Sequence, residues 1–275
     1  MRILISADME GVTGVTFPDD VEPGSARWSY HRTFFTGDVN AAIAGFFDAG
    51  ASEVLVNEAH ADKRNLLLDQ IDPRASVLIG THKPWSMMEG IDRGYDAVGF
   101  VGYHAAAGQQ GVLSHTYLPN MITGVWLNGA VCSEGYMNAA LAAEFGVPVV
   151  LVTGDDCAVT DAKGYAPAAQ LVQVKQCVDR YTAICLTPAR TAELIRAGAA
   201  AALDPLPAVT PLDGPYRFEI EFDATHPVAM TTAIPDVEQV GLRRVAFELP
   251  SMKLAIRCFR AVTALADGSL EKNYG

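Results

Sequence analysis

The sequence predicts an α/β protein: a mostly parallel sheet flanked by helices, with its site at the carboxyl ends of the strands and a smaller C-terminal α+β lobe. Three observations carry this expectation. Ile3 to Ser6, Glu53 to Asn57 and Ala97 to Val101 are short, nearly uniform apolar runs, the signature of strands buried on both faces. Helical-period segments alternate with them, and a strand–helix–strand rhythm argues for parallel pairing. Polar side chains suited to chemistry follow these runs directly, at the edge where open parallel sheets bind ligands.

Taken in order, Ile3 to Ser6 is a first strand, and Gly11 to about Trp28 is a Gly- and Pro-containing loop. Phe34 to Ala49 places Val39, Ala42, Ile43, Phe46 and Phe47 at helical spacing and stops at Gly50. Glu53 to Asn57 is a second strand, Val77 to Gly80 a weaker third, and Tyr95 to Gly102 a fourth. Ala105 to Gly111 is a small-residue loop. Met121 to Val131 carries Asn128-Gly129 and reads as a hairpin. Ser133 caps a helix through Phe145, ended by Gly146, and Val149 to Val152 is a further strand.

From about Ala166 the texture changes. Leu171 to Lys175 and Arg180 to Leu186 read as strands, and Pro188 opens an alanine-rich helix through Leu203. Leu206 to Pro215 is a proline-rich linker. Tyr216 to Phe222 alternates apolar and charged residues, a strand with one wet face, and Ser251 to Ala266 is a closing helix. The expected division is a core over 1–165 and a smaller lobe over 166–275, with one continuous domain as the alternative.

Bulk properties narrow the function. The 275 residues are 50% hydrophobic and 19% charged, enough for a sizeable core. Twenty basic against 32 acidic residues leave a net charge of −12, which disfavours nucleic acid as a partner. Five cysteines, an odd number without a Cys-x-x-Cys pair, argue against a disulfide framework and for a reducing compartment. No signal peptide and no membrane-spanning run is expected, so the cytoplasm is the expected location. A dinucleotide fingerprint, a phosphate-binding loop and a Gly-x-Ser-x-Gly elbow are all missing, which disfavours nucleotide and serine-hydrolase chemistry.

The candidate site residues lie in separate motifs. Asp8 and Glu10 are two apart on an extended segment, so both carboxylates point one way and repel unless a cation lies between them. His60 follows the second strand and reads either as a hydrogen-bonded structural group or as a metal ligand. Asn57 and Glu58 beside it are candidates to orient its ring, and Glu58 is equally a candidate ligand or general base. His104 ends the fourth strand among small residues. His115, in Leu113-Ser114-His115-Thr116, is open to roles as ligand, general base, proton donor or oxyanion stabiliser. Glu134 either complements a helix dipole or adds a fifth ligand. Asp155 and Asp156 are outer partners or a turn. His31, His82 and His226 read as structural or exposed.

Laid out in order, Ser6-x-Asp8-x-Glu10-Gly11, Asn57-Glu58-x-His60, Gly102-x-His104, Ser114-His115 and Asn128-Gly129-x4-Glu134-Gly135 resemble the D-aminopeptidase family of dinuclear zinc peptidases over most of the chain. The resemblance implies an α/β core and two zinc ions per subunit, held by Asp8, Glu10, His60, His104 and Glu134. Asp8 would be the bridge and His115 the catalytic histidine. It also implies a ring-shaped homo-oligomer, a decamer of two stacked pentamers. Manganese or cobalt would suit the same donors. The implied activity is hydrolysis, by metal-activated water, of small peptides with a free N-terminus, D-alanine peptides among them. Two alternatives are a metal-dependent amidohydrolase or esterase on another small molecule, and a non-catalytic metal- or peptide-binding module that forms rings.

Overall fold

Two sheets share one chain. The computed structural model describes residues 1–209 and 211–270. Its strands and helices are β1 (Arg2–Ala7), α1 (Ala26–Asp48), β2 (Glu53–Glu58), β3 (Ser76–Leu78), β4 (Ala97–Tyr103), β5 (Ile122–Leu127) and β6 (Ala130–Val131). There follow α2 (Glu134–Glu144), β7 (Val149–Asp155), α3 (Asp156–Tyr165), β8 (Gln170–Asp179), β9 (Thr182–Cys185) and α4 (Pro188–Ala201). The chain closes with β10 (Tyr216–Phe222), α5 (His226–Thr231), β11 (Glu238–Gly241), β12 (Arg244–Leu249) and α6 (Met252–Asp267). The first sheet has seven strands in the order β3-β2-β1-β4-β7-β8-β9, parallel except for β9. The second has five antiparallel strands in the order β11-β12-β10-β5-β6.

Burial explains the apolar runs. Ile3 and Ile5 pack toward α1 and α4, while Leu4 between them faces the core shared by α2, α6 and the second sheet. All three are fully buried, each contributing roughly 1.5–3 kcal/mol of transfer free energy. In β10 the predicted alternation holds: Tyr216, Phe218, Ile220 and Phe222 are buried and the residues between them half-buried. Asn128 and Gly129 join β5 to β6 with φ of 50° and 83°, the left-handed pair that a two-residue hairpin turn requires.

The structure departs from the sequence expectation in several places. Helix α1 starts at Ala26, eight residues early, because Ser25 caps it by accepting from the Trp28 amide; its first turns are mostly exposed and show no apolar stripe. Helix α3 follows β7 directly. The division expected between 1–165 and 166–275 does not follow the sheets. Strands β8 and β9 complete the first sheet, and β5, from the first half of the chain, pairs onto β10 in the second and carries β6 at its edge. The expected linker over 206–215 contains no strand or helix among its described residues; Thr210 lies outside them. No helix among the described residues is long and apolar enough to cross a membrane.

Candidate metal centre

The ends of β1 and β4 interlock. The Asp8 amide donates to the Val101 carbonyl at 2.8 Å and the Gly11 amide to the Gly102 carbonyl at 2.8 Å. A Cβ on Gly11 would lie 2.0 Å from the Tyr103 carbonyl oxygen, and one on Gly102 would lie 2.1 Å from that of Asp8. Gly102 also has φ +76°. Only glycine permits this approach, and it sets Asp8 and Glu10 against His104. On the other side, Ala59 donates to the Ala7 carbonyl at 2.8 Å, which carries His60 into the same place.

A buried ammonium holds the loop after Glu10. Lys175, on β8, donates to the carbonyls of Glu10, Val12 and Val15 at 2.6, 2.9 and 2.7 Å. Lys83 does the same beside β2, donating to Asn57 Oδ1 and to the carbonyls of Glu58 and Leu78 at 2.8, 2.6 and 3.0 Å. Lysines read from sequence as solvated; these two are buried and each fills three acceptors.

Four of the predicted side chains meet closely. His60 Nδ1 stands 3.0 Å from Glu10 Oε2 and 3.4 Å from Asp8 Oδ1. His104 Nε2 stands 3.4 Å from Asp8 Oδ2 and 3.6 Å from Glu134 Oε2. Asp8 thus turns one oxygen toward each histidine. The fifth, Glu134, opens α2 behind the Ser133 cap and accepts from the Tyr117 amide at 2.7 Å through Oε1. Ligand atoms of Asp8, Glu10 and His104 lie within 4.8 Å of one another, as do those of His104, His115 and Glu134.

The backbone fixes both imidazole tautomers. His60 Nε2 lies 2.9 Å from the Val21 carbonyl, so that nitrogen keeps its proton and Nδ1 is the one turned to Asp8 and Glu10 and available to a metal. His104 Nδ1 lies 3.0 Å from the Ala105 carbonyl, which leaves Nε2 as the nitrogen facing Asp8 and Glu134 and available to a metal. Asp8 Oδ2 and His104 Nε2 are buried with no hydrogen-bond partner among the described residues. A carboxylate oxygen and an imidazole nitrogen buried face to face with no hydrogen bond made are an arrangement a cation satisfies, and imidazole with carboxylate is a zinc donor set.

Electrostatics agree. Burial opposes charge on Asp8, yet the His104 and His60 rings hold its carboxyl well below the usual carboxylate range. Burial and Asp8 push Glu10 upward, and His60 with His115 outweigh them. Burial works equally against charging the two histidines, but the carboxylates raise both well above the usual imidazole value, Glu10 leading for His60 and Glu134 for His104.

His115 sits beside this group. Its ring stacks on His104 with centroids 4.2 Å apart and an interplanar angle of 9°. Nδ1 lies 2.8 Å from the Leu113 carbonyl, so Nε2 is the free nitrogen, 3.9 Å from both Glu10 Oε1 and Glu134 Oε1. Its side chain is 11% exposed against 1% for His104, so it faces the cavity more openly.

Asn57 and Glu58 act otherwise than expected. Neither touches the His60 ring. Asn57 donates to the Met87 carbonyl at 2.7 Å, and Glu58 spends both oxygens on the amides of Asn65 and Leu66 and the Asn65 side chain. A carboxylate so engaged is neither ligand nor general base; it builds the turn on which His60 rides. The ring is oriented instead by Val21, a backbone partner that leaves no trace in the sequence. Asp155 caps α3 through Ala158 and also accepts from the Val112 amide at 2.6 Å, tying the loop of His115 to β7. Asp155, Cys157 and Cys177 also cluster. Burial raises both thiols there.

The site opens into a cavity of ≈ 600 Å³, lined by Asp8, Glu10, His60, His115 and Glu134 and, further out, by Lys63, Tyr117, Arg180 and Arg260. An acid- and imidazole-lined pocket at the carboxyl edge of a parallel sheet defines a metal-binding α/β protein of hydrolase type. Comparison with known proteins narrows this. The family model of the D-aminopeptidase peptidases matches residues 1–261. A D-aminopeptidase of Bacillus subtilis (strain 168) is 35% identical over 274 residues, 97% of this chain and 98% of that protein. The solved structure of the Zn-dependent D-aminopeptidase DppA from Bacillus subtilis, described as a self-compartmentalizing protease, superposes with a TM-score of 0.92. It is 32% identical, with 97% of this chain and 98% of that one covered. The chain belongs to the D-aminopeptidase family.

Proposed function

We propose that this protein is a zinc-dependent D-aminopeptidase in which Asp8, Glu10, His60, His104 and Glu134 hold two zinc ions, with Asp8 as the bridge. The observation that carries the assignment is the buried, unbonded pair Asp8 Oδ2 and His104 Nε2, 3.4 Å apart, with the other ring nitrogen already engaged by the Ala105 carbonyl. Asp8 turns its other oxygen to His60, so it would hold a metal ion on either side. When bound, such a metal pair supplies an activated water and a Lewis acid for the scissile carbonyl. Manganese and cobalt fit the same donors.

The chain's own residues do the rest. The Leu113 carbonyl holds the His115 ring so that Nε2 faces the reacting centre and exchanges a proton there: it takes one as the nucleophile forms and returns it to the leaving amine. The stacked His104 ring keeps His115 from swinging away. Glu10 and Glu134 each place an oxygen 3.9 Å from His115 Nε2, so the nitrogen that would move the proton lies against the proposed ligands. The substrate is a small peptide with a free N-terminus, and family membership is what supports a D-residue there. The self-compartmentalizing relative supports a homo-oligomeric ring, with ten subunits as the expected count. The five free cysteines support a reducing, cytoplasmic setting.

Metal analysis beside turnover tests this. Wild type should bind two zinc ions per chain and release D-alanine from D-alanyl peptides. His115→Ala should keep both ions and lose about 10²–10⁴-fold in kcat. Full turnover without His115 removes its role. Preference for ester or N-acylated substrates would favour the amidohydrolase reading instead.

A further inference from the structure

We propose that Lys63 and Arg260 bind the free C-terminal carboxylate of the substrate, so that the cavity recognises both ends of a short peptide. This deepens the peptidase reading and rests on it.

The two cations reach one cavity from different parts of the fold: Lys63 from the turn after β2, Arg260 from α6. Among the described residues their polar partners are backbone carbonyls only, Ala61 for Lys63 and Lys83 for Arg260. In a chain with 32 acidic and 20 basic residues, two half-buried cations without a carboxylate partner stand out. The inner carboxylates of the cavity, Asp8, Glu10 and Glu134, are committed to the metal centre and its histidines. An anionic group on the substrate is the missing partner, and a short peptide bears one at its C-terminus.

The backbone around Lys63 shows the same purpose. Ala61 and Lys63 have φ of 44° and 60°, a left-handed conformation that residues with a Cβ adopt only under constraint. The constraint is visible. The Lys63 amide donates to the His60 carbonyl at 2.8 Å, its own carbonyl accepts from Gly80 at 2.8 Å, and Asn65 Nδ2 donates to the His60 carbonyl at 2.9 Å. One rigid turn therefore presents a metal ligand, His60, and a cation, Lys63. A dipeptide laid with its amine and scissile bond at the metal end would turn its carboxylate to the cations. A cavity of ≈ 600 Å³ suits a ligand of that size. A C-terminal amide keeps a carbonyl acceptor but loses the charge, a roughly 10–100-fold effect in all.

The test uses the zinc-loaded enzyme with D-alanyl-D-alanine and its C-terminal amide. Wild type should hydrolyse both, with kcat similar and KM for the amide roughly 10–100-fold higher. Lys63→Met and Arg260→Met should each raise KM for the dipeptide, leave the amide almost unchanged and retain two zinc ions; Arg260→Lys should restore part of the loss. Calorimetry with reduced D-alanyl-D-alanine, whose CH2–NH link cannot be hydrolysed, should give the same ratio of Kd against its amide. Equal KM for dipeptide and amide in wild type, or a dipeptide-to-amide ratio unmoved in both Met variants, overturns the proposal while leaving the peptidase reading intact. Turnover of neither compound sinks the peptidase reading and this proposal with it.

Discussion

Replacing Lys175 with methionine removes three hydrogen bonds at once, those to the carbonyls of Glu10, Val12 and Val15. A bond to a charged donor is worth about 1.5–3 kcal/mol, so three give roughly 5–9 kcal/mol gross. Against this stands the cost of burying the ammonium. Burial pushes Lys175 down from 10.5 to about 8, which corresponds to about 3 kcal/mol. The net loss is on the order of 2–6 kcal/mol, or a fall in Tm of roughly 5–15 °C for a chain of this size. The Glu10 loop loses its anchor at the same time, and zinc affinity should drop about 10–100-fold, as for other residues that support ligands. Calorimetric melting of the metal-free protein, with zinc titration against a competing chelator, measures both. A Lys175→Met variant with unchanged Tm and unchanged zinc affinity would refute the idea that this lysine holds the loop in place.

Three further outcomes are expected. Asp38 accepts from the Thr13 amide and hydroxyl, and burial raises its carboxyl to about 6. A raised folded value means that its contribution to stability is full below about 3.8 and is lost as pH rises through about 6. Asp38→Asn should therefore gain about 3 kcal/mol on wild type between pH 4 and pH 7 in urea unfolding; a constant difference would contradict this. Gly11→Ala forces a Cβ against the Tyr103 carbonyl, so it should cost about 3 kcal/mol or more and lose zinc; a wild-type melting curve would count against the interlocked strand ends. Glu134→Gln keeps an acceptor for the Tyr117 amide but lowers the donor charge; it should fold normally and bind one zinc ion tightly instead of two, as read by metal analysis.

What the sequence made legible follows from locality. Strands β1, β2, β4 and β7 are buried on both faces, so each is an apolar run readable without its neighbours. The proposed ligands sit one to three residues past those runs, so strand position and side-chain chemistry were enough to single out Asp8, Glu10, His60 and His104 as candidates. Glu134 needed the Ser133 cap and the resemblance together. The rest depended on distant partners. Strand β5 pairs with β10 some ninety residues later, and no local pattern announces that exchange between sheets. Lys175 ends a segment that reads only as a strand, and its burial depends on three carbonyls of a loop some 160 residues earlier. Glu58 has a ligand's chemistry and position, and only the amides of Asn65 and Leu66 reveal it as a turn-builder.

The most direct test is an anomalous difference map, recorded on either side of the zinc edge from crystals grown with zinc. Two peaks about 3.5–4 Å apart, one between Asp8 and His60 and one between Asp8 and His104, are expected. A lone peak elsewhere, such as beside Cys157 and Cys177, or none near Asp8, would contradict the dinuclear centre.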